Sequence, residues 1–375
     1  MHCDYFESWR CRSCSELATP YAEQLATKER RCREALASHA GVEWLLPVAS
    51  VEAGFRIKAK MVVSGSSAAP VLGILDAQGR GVDLSDCPLY PPALQVSFAP
   101  LTAFITRANI APYDVAARRG ELKYLLLTLA RHSGELMLRF VLRSQEPLAR
   151  IRKFLPELQS GLPQLVVISA NLQPEHKAVL EGEQEFLLSA QDRLTMRLNG
   201  LPLHLRPQSF FQTNDAVAAE LYSQAREWVN EIDPPALWDL FSGVGGFALH
   251  CADGRREVTG IELSPEAIAS AELTRDAMGL ENVHFRAFDA TDFALDQSRV
   301  PELVIVNPPR RGIGDKLARF LDASAAKHLI YSSCNADSLA RDLAAMPGFH
   351  LRRARVLDMF PHTTHYEVIT LLSRD

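Results

Sequence analysis

Residues 236–252 read Ala236-Leu237-Trp238-Asp239-Leu240-Phe241-Ser242-Gly243-Val244-Gly245-Gly246-Phe247-Ala248-Leu249-His250-Cys251-Ala252. The apolar run 236–241 predicts a buried strand, the glycines a tight loop, and the residues up to Ala252 a short helix. Glycines in such a loop tolerate positive φ and let the backbone approach a ligand closely. The stretch falls short of a full dinucleotide fingerprint, because Ala248 stands at the last glycine position of G-x-G-x-x-G.

Strand and helix keep alternating downstream. Segments 258–263, 283–288, 303–306, 329–332, 356–359 and 368–372 read as strands, which with 236–241 makes seven. Ser264 is placed to cap a helix over 265–278, with Pro265 at its first position. An amphipathic helix over 215–232 precedes the first strand, and Asp233-Pro234-Pro235 ends it. Repeated βα units predict an α/β fold with a parallel, doubly wound, Rossmann-like sheet over residues 205–375.

Two other regions have a different texture. Residues 46–204 carry strand-like runs at 57–64, 121–130, 136–142 and 164–173, interrupted by helical patterns at 94–108 and 148–160. That predicts a central α+β domain with a mainly antiparallel sheet. Residues 1–45 are charged, hold Cys3, Cys11, Cys14 and Cys32, and predict one helix over 21–37.

The chain has 375 residues, 47% of them hydrophobic and 23% charged, as in an ordinary globular protein. Its start lacks the basic and apolar regions of a signal peptide, and no apolar run reaches the roughly 18 residues of a membrane span. A cytoplasmic location is expected. Seven cysteines in such a chain argue against a disulfide framework. The net charge of −5 leaves any nucleic-acid binding to local basic stretches. Arg107, Arg118, Arg119, Lys123 and Arg131 form one; Arg139, Arg143, Arg150, Arg152 and Lys153 form another.

In an open α/β sheet, ligands bind in the crevice at the carboxyl ends of the strands. Five features lie at such ends. The glycine loop with Gly243 and Gly245 follows the first strand, and Glu262 ends the second, placed to accept hydrogen bonds from ribose hydroxyls. Asp289 follows the third, within reach of an adenine amino group. An acid after each of these strands suits a nucleoside without a pyrophosphate, so S-adenosylmethionine fits better than NAD. Asn307-Pro308-Pro309-Arg310 follows a fourth strand, and Cys334 follows a fifth, a thiol on the rim of the same crevice.

With these residues in hand, the chain resembles the bacterial RNA uracil-C5 methyltransferases, and among them the 23S rRNA branch that carries an iron–sulfur cluster. The resemblance spans nearly the whole chain. It includes Cys3, Cys11-Arg12-Ser13-Cys14, Cys87-Pro88-Leu89-Tyr90, residues 118–124, 206–214, 241–246, 307–314 and 332–335, and His365-Tyr366-Glu367-Val368. It implies methyl transfer from S-adenosylmethionine to C5 of a uridine in 23S rRNA, U747, in a loop or flipped out of its stack. It also implies Cys334 as the nucleophile at uracil C6, Glu367 as the base for the C5 proton, and Gln212, Phe241, Glu262 and Asn307 as contacts to the methyl donor. Phe210 and Phe211 are candidate stacking surfaces.

The chain departs from the family pattern at Asn307, where relatives usually carry Asp, at Ser242, commonly Cys, and at Ile57, commonly Asn. Four thiols, Cys3, Cys11, Cys14 and Cys87, suit an Fe–S cluster or zinc. Their spacing has one C-x2-C pair rather than two, which disfavours zinc. The resemblance implies a structural [4Fe–4S] cluster. Cys32 and Cys251 read as packed thiols. The RNA-binding barrel found in some relatives is not expected, since Cys3 lies at the start of the sequence, and no obligatory protein partner is evident. Two rival readings stay open: a tRNA uracil-C5 methyltransferase, and an RNA-binding protein with vestigial catalytic residues.

Overall fold

A computed structural model describes residues 1–177 and 179–374. The chain forms two compact units, one of residues 1–14 and 52–196, the other of 15–51 and 197–375. This division differs from three consecutive segments. Only the first fourteen residues of the expected 1–45 segment join the unit built on the central region.

In the first unit a seven-stranded sheet runs in the order Gly81–Asp83, Ala69–Leu75, Lys58–Ser66, Leu122–Leu129, Leu136–Leu142, Leu165–Leu172 and Gln184–Leu187. Every neighbouring pair is antiparallel except Leu136–Leu142 with Leu165–Leu172. The helix Leu148–Gly161 lies between these two strands in sequence, and a parallel pair requires such a crossover. Ile57 is fully buried among this unit's apolar side chains.

In the second unit the strands are β1 (Glu43–Trp44), β2 (Ala236–Leu240), β3 (Glu257–Glu262), β4 (Val283–Ala287), β5 (Leu303–Val306), β6 (His328–Ser333), β7 (His350–Leu357) and β8 (Glu367–Ser373). Their order is β1-β7-β8-β6-β5-β2-β3-β4. The seven expected strands are present, and Glu43–Trp44 adds an eighth at the edge. The sheet is mixed rather than parallel: β8 runs antiparallel to both β6 and β7. A short connection, 358–366, joins β7 to β8, too short for the crossover a parallel return needs. Strand order reverses at β2, which lies between β3 and β5, so a ligand crevice is expected at its carboxyl end.

The helix α1 (Tyr21–Ala35) belongs with this second unit because of three polar residues one turn apart on one face. Gln24 receives the backbone N–H of His362 at 2.9 Å, and the Lys28 Nζ donates to Asp358 Oδ1 at 2.6 Å and to the Phe360 carbonyl at 3.0 Å. Cys32 is hydrogen-bonded to Tyr366 and lies in the apolar core. These contacts pin the 358–366 connection, whose end carries Glu367. The lysine and aspartate side chains are 2% and 0% exposed, so neither charge can turn to water. Lys28→Met is expected to destabilise the protein by about 3–5 kcal/mol in denaturant unfolding, because it strands a buried carboxylate. The double variant Lys28→Met, Asp358→Leu is expected to recover most of that loss.

Candidate active site

The loop after β2 turns sharply. Phe241 sits at φ 66°, a left-handed conformation that bulky residues rarely adopt, and Gly243 and Gly245 follow at 55° and 82°. The helix α2 (Asp215–Ile232) packs beside it, and a Cβ at Gly246 would lie 2.5 Å from the Tyr222 hydroxyl on that helix. The second glycine of the pair therefore admits a tyrosine rather than a ligand. At Gly243 a Cβ would meet nothing within 4 Å, and this residue faces an open cavity.

That cavity, about 690 Å³, lies within the second unit. Its wall contains Gln212, Phe241, Gly243, Glu262, Asp289 and Asn307, all expected at the methyl donor, and also Cys334 and Glu367. Gly245 is the exception: it lies outside the wall, and a Cβ there would collide with the Phe285 ring at 2.8 Å. Its role is to turn the chain and let β4 pack close. Phe210 and Phe211 both line the cavity, but Phe211 is buried whereas Phe210 is 68% exposed.

The two acids are held by backbone donors. The Gly243 N–H donates to Glu262 Oε2 at 3.1 Å and the Ser264 N–H to Oε1 at 2.9 Å. Asp289 Oδ1 accepts from the N–H groups of Thr291 and Asp292, capping the helix α3 (Ala290–Leu295). Asp289 therefore has a structural task beside any ligand contact.

The strand register explains why Cys334 meets Glu367. Ser332 pairs with Ile369 and Ser333 with Val368 across β6 and β8. Continuing by one residue sets Cys334 opposite Glu367, and directly opposed residues on antiparallel strands share a face. Cys334 ends the strand, and Asn335 then caps the helix α4 (Ala336–Ala344) by accepting from the Asp337 N–H at 3.1 Å. Burial raises the Cys334 pKa and the Glu367 charge raises it further, while the Arg310 guanidinium pulls it down. The adjacent helix N-terminus also favours a thiolate. Burial pushes the Glu367 carboxyl up to about 7, opposed by a hydrogen bond from Ser332. A thiol and a carboxyl that titrates near neutral pH, facing one cavity, are suited to nucleophilic and acid–base chemistry.

The sequence reading did not single out His365, Phe360 or Ser332. The first two line the cavity, and Arg310 Nη2 lies 3.2 Å from His365 Nδ1. His365 and Ser332 each stand two residues from a named site residue, the spacing at which extended chain returns to one face, and that was the available signal.

Comparison with known proteins decides the family. The profile of the tRNA (Uracil-5-)-methyltransferase family matches residues 182–375. The 23S rRNA (uracil(747)-C(5))-methyltransferase RlmC of Yersinia pseudotuberculosis is 54% identical over 373 residues, covering 100% of this chain and 99% of that protein. The protein of the same name from Yersinia pestis aligns to the same extent. The chain belongs to the RNA uracil-C5 methyltransferase family. Among solved structures, that of a Pyrococcus abyssi tRNA (uracil-54, C5)-methyltransferase in complex with S-adenosyl-L-homocysteine superposes with a TM-score of 0.79, at 23% identity, over 96% of this chain and 85% of that one. It shows that this methyltransferase shares the fold across both units. No helix among the described residues is long and apolar enough to cross a membrane.

In the first unit of this methyltransferase, Cys3, Cys11, Cys14 and Cys87 line one small pocket. Burial first, then the three other thiols, raise Cys14 to about 12; burial is likewise the main cause that raises Cys87 to about 11. Of the basic stretches, the second is largely spent internally. Arg139 is buried against Glu181 and Glu185, Arg143 binds Glu121 and Arg150 binds Glu146. In the first stretch Lys123 is buried while Arg118 and Arg119 are exposed.

Proposed function

We propose that this chain transfers a methyl group from S-adenosylmethionine to C5 of a uridine in 23S rRNA, at the position equivalent to U747, in the cytoplasm where that RNA is made. The observation that carries the reading is the opposed pair Cys334 and Glu367 in one cavity wall, in a chain 54% identical end to end to enzymes named for that reaction. Residues 205–375 form the core of the methyltransferase domain, residues 46–204 the core of an RNA-binding domain, and the cysteines of 1–45 with Cys87 a cluster site.

Uracil C5 is a weak nucleophile toward a sulfonium methyl. The Cys334 thiolate adds to C6, and the C5–C6 π electrons move toward C5 and the O4 carbonyl. S-adenosylmethionine supplies the methyl group that C5 gains. Glu367 then takes the C5 proton, the C5–C6 double bond re-forms, the C6–sulfur bond breaks, and the thiolate is free again. Glu262 and Asp289 would hold the ribose and adenine, with Gln212, Phe241, Gly243 and Asn307 around the methionine end. Asn307 carries no charge, so it serves as a hydrogen-bonding group rather than a base. Phe210 offers an exposed face on which a flipped base can stack.

The four thiols suit a [4Fe–4S] cluster held by Cys3, Cys11, Cys14 and Cys87. They line one pocket, and their spacing has one C-x2-C pair where zinc sites more often have two. Four clustered thiolates would need a cationic centre to offset their charge. The cluster would tie the N-terminal segment to the loop of Cys87. Cys14→Ser is expected to lose most bound iron and acid-labile sulfide after anaerobic purification; zinc in place of iron in the unaltered chain would refute the assignment.

The test of function is labelled methyl transfer to unmodified 23S rRNA and, separately, tRNA, followed by nucleoside analysis. The expected product is 5-methyluridine in 23S rRNA alone. Label in tRNA, or on an amino group, would overturn the reading.

A further inference from the structure

Among the described residues Glu367 has one side-chain hydrogen-bond partner, Ser332. The Ser332 hydroxyl donates to Glu367 Oε1 at 2.6 Å, with the serine fully buried and the glutamate nearly so. The contact follows from the register: Ser332 stands two residues before Cys334 on β6 and so projects to the same face, diagonally across from Glu367. We propose that Ser332 is a positioning residue that holds the Glu367 carboxylate ionised and aims Oε2 at the proton on uracil C5, so that it acts in release of the covalent intermediate and not in its formation. The inference rests on the reading of Glu367 as the base.

A buried carboxylate without a donor is costly and tends to take up a proton, and a protonated acid cannot accept one from C5. A short hydroxyl hydrogen bond to an ionised oxygen counters that tendency. Ser332 occupies Oε1 of a glutamate that lines the cavity, which leaves Oε2 for the substrate. The other titratable groups around Glu367 supply no donor of this kind. Cys334 opposes it across the strand pair and the buried Tyr222 approaches from α2, each raised in pKa by the glutamate charge. Arg310 and His365 lie in the same wall but pair with each other. Ser332 is fully buried, is not among the residues that line the cavity, and gives its hydroxyl to Glu367, so the thiol's addition to C6 should be indifferent to it.

The balance of the step is simple. The C5–H bond breaks, its electrons form the C5–C6 double bond, the C6–sulfur bond's electrons return to Cys334, and the proton goes to Glu367. Slowing proton transfer alone leaves the methylated base attached to the enzyme.

The experiment compares Ser332→Ala and the matched pair Ser332→Thr and Ser332→Val, which differ only in hydroxyl against methyl, with Glu367→Gln as control. Turnover and covalent enzyme–RNA adduct on denaturing gels are followed from pH 6 to 9. The alanine and valine variants are expected to turn over roughly 10- to 100-fold more slowly at pH 7, to accumulate adduct at an unchanged formation rate, and to recover as pH rises. Threonine is expected to restore turnover. Where threonine fails to fold, the alanine variant alone decides, since it removes a single oxygen. Wild-type turnover and pH profile in Ser332→Ala, or slowed adduct formation instead of release, would overturn the proposal. Adduct trapped by Glu367→Gln but not by Ser332→Ala removes only the role of Ser332; adduct trapped by neither removes the base assignment with it.

Discussion

Cys334→Ala is expected to reduce methyl transfer to RNA by on the order of 10⁴-fold or more, to background, while the protein still binds S-adenosylmethionine and RNA. Without the sulfur nothing saturates C6, and C5 keeps the electron-poor character of a conjugated uracil. No neighbouring group can substitute: the hydroxyls of Ser332 and Ser333 are engaged with Glu367 Oε1 and the Asn335 carbonyl. Binding should survive because Cys334 is one part of a wall that also holds Glu262 and Asp289, on β3 and after β4, the residues proposed to hold the adenosine. Calorimetric titration with the methyl donor and electrophoretic RNA binding, run beside the activity assay, separate these effects. Retained methylation in Cys334→Ala would sink the covalent mechanism. Lost RNA binding would show that Cys334 serves affinity.

The same site shows what a sequence reveals and what it conceals. The βα alternation, the helix ends at Ser264-Pro265 and the polar residues at strand ends depend on local chemistry and two short periodicities, so the strands, and residues that meet in one cavity wall, were readable one by one. Ser264 accepts from the Ala267 N–H and Asn214 from the Val217 N–H, as capping residues do. Pairing was not readable. That β8 returns antiparallel, which places Glu367 against Cys334, depends on how a short connection folds between two strands. The attachment of α1 to the second unit rests on Lys28 and Gln24, residues whose partners lie more than three hundred positions away. A buried lysine in a charged segment looks like a solvated one until its partner is seen. Gly245 and Gly246 illustrate a further gap: a glycine loop signals close approach but not of what, and here it admits Phe285 and Tyr222. Arg139 reads as a surface cation and is a buried one, because the acids that pair with it lie about forty residues on.

Glu367→Gln is expected to divide catalysis and stability in opposite directions. Amide in place of carboxylate removes the acceptor for the C5 proton, so turnover should fall by about 10²- to 10⁴-fold, with methylated RNA held on Cys334. Stability should move the other way, and only at higher pH. The carboxyl is pushed from 4.5 to about 7 by burial, and the folded state therefore disfavours the ionised form. Below pH 4.5 the group is neutral in both folded and unfolded chains and costs nothing. Between 4.5 and about 7 the unfolded chain gives up its proton while the folded one retains it, and stability is progressively lost; above that window the full loss, roughly 3 kcal/mol, persists. Glutamine, neutral throughout and still able to accept from Ser332, escapes that loss. Denaturant unfolding at pH 8 should accordingly find Glu367→Gln more stable than the unaltered chain by up to about that amount, and the difference should vanish towards pH 4.5. Equal stability at both pH values would mean that the carboxyl is not strained by burial. A stabilised variant with undiminished turnover would mean that the strain is real but serves no proton transfer. The expected pairing of a trapped adduct with a pH-dependent gain in stability identifies a carboxylate kept in an unfavourable place because the chemistry requires its basicity there.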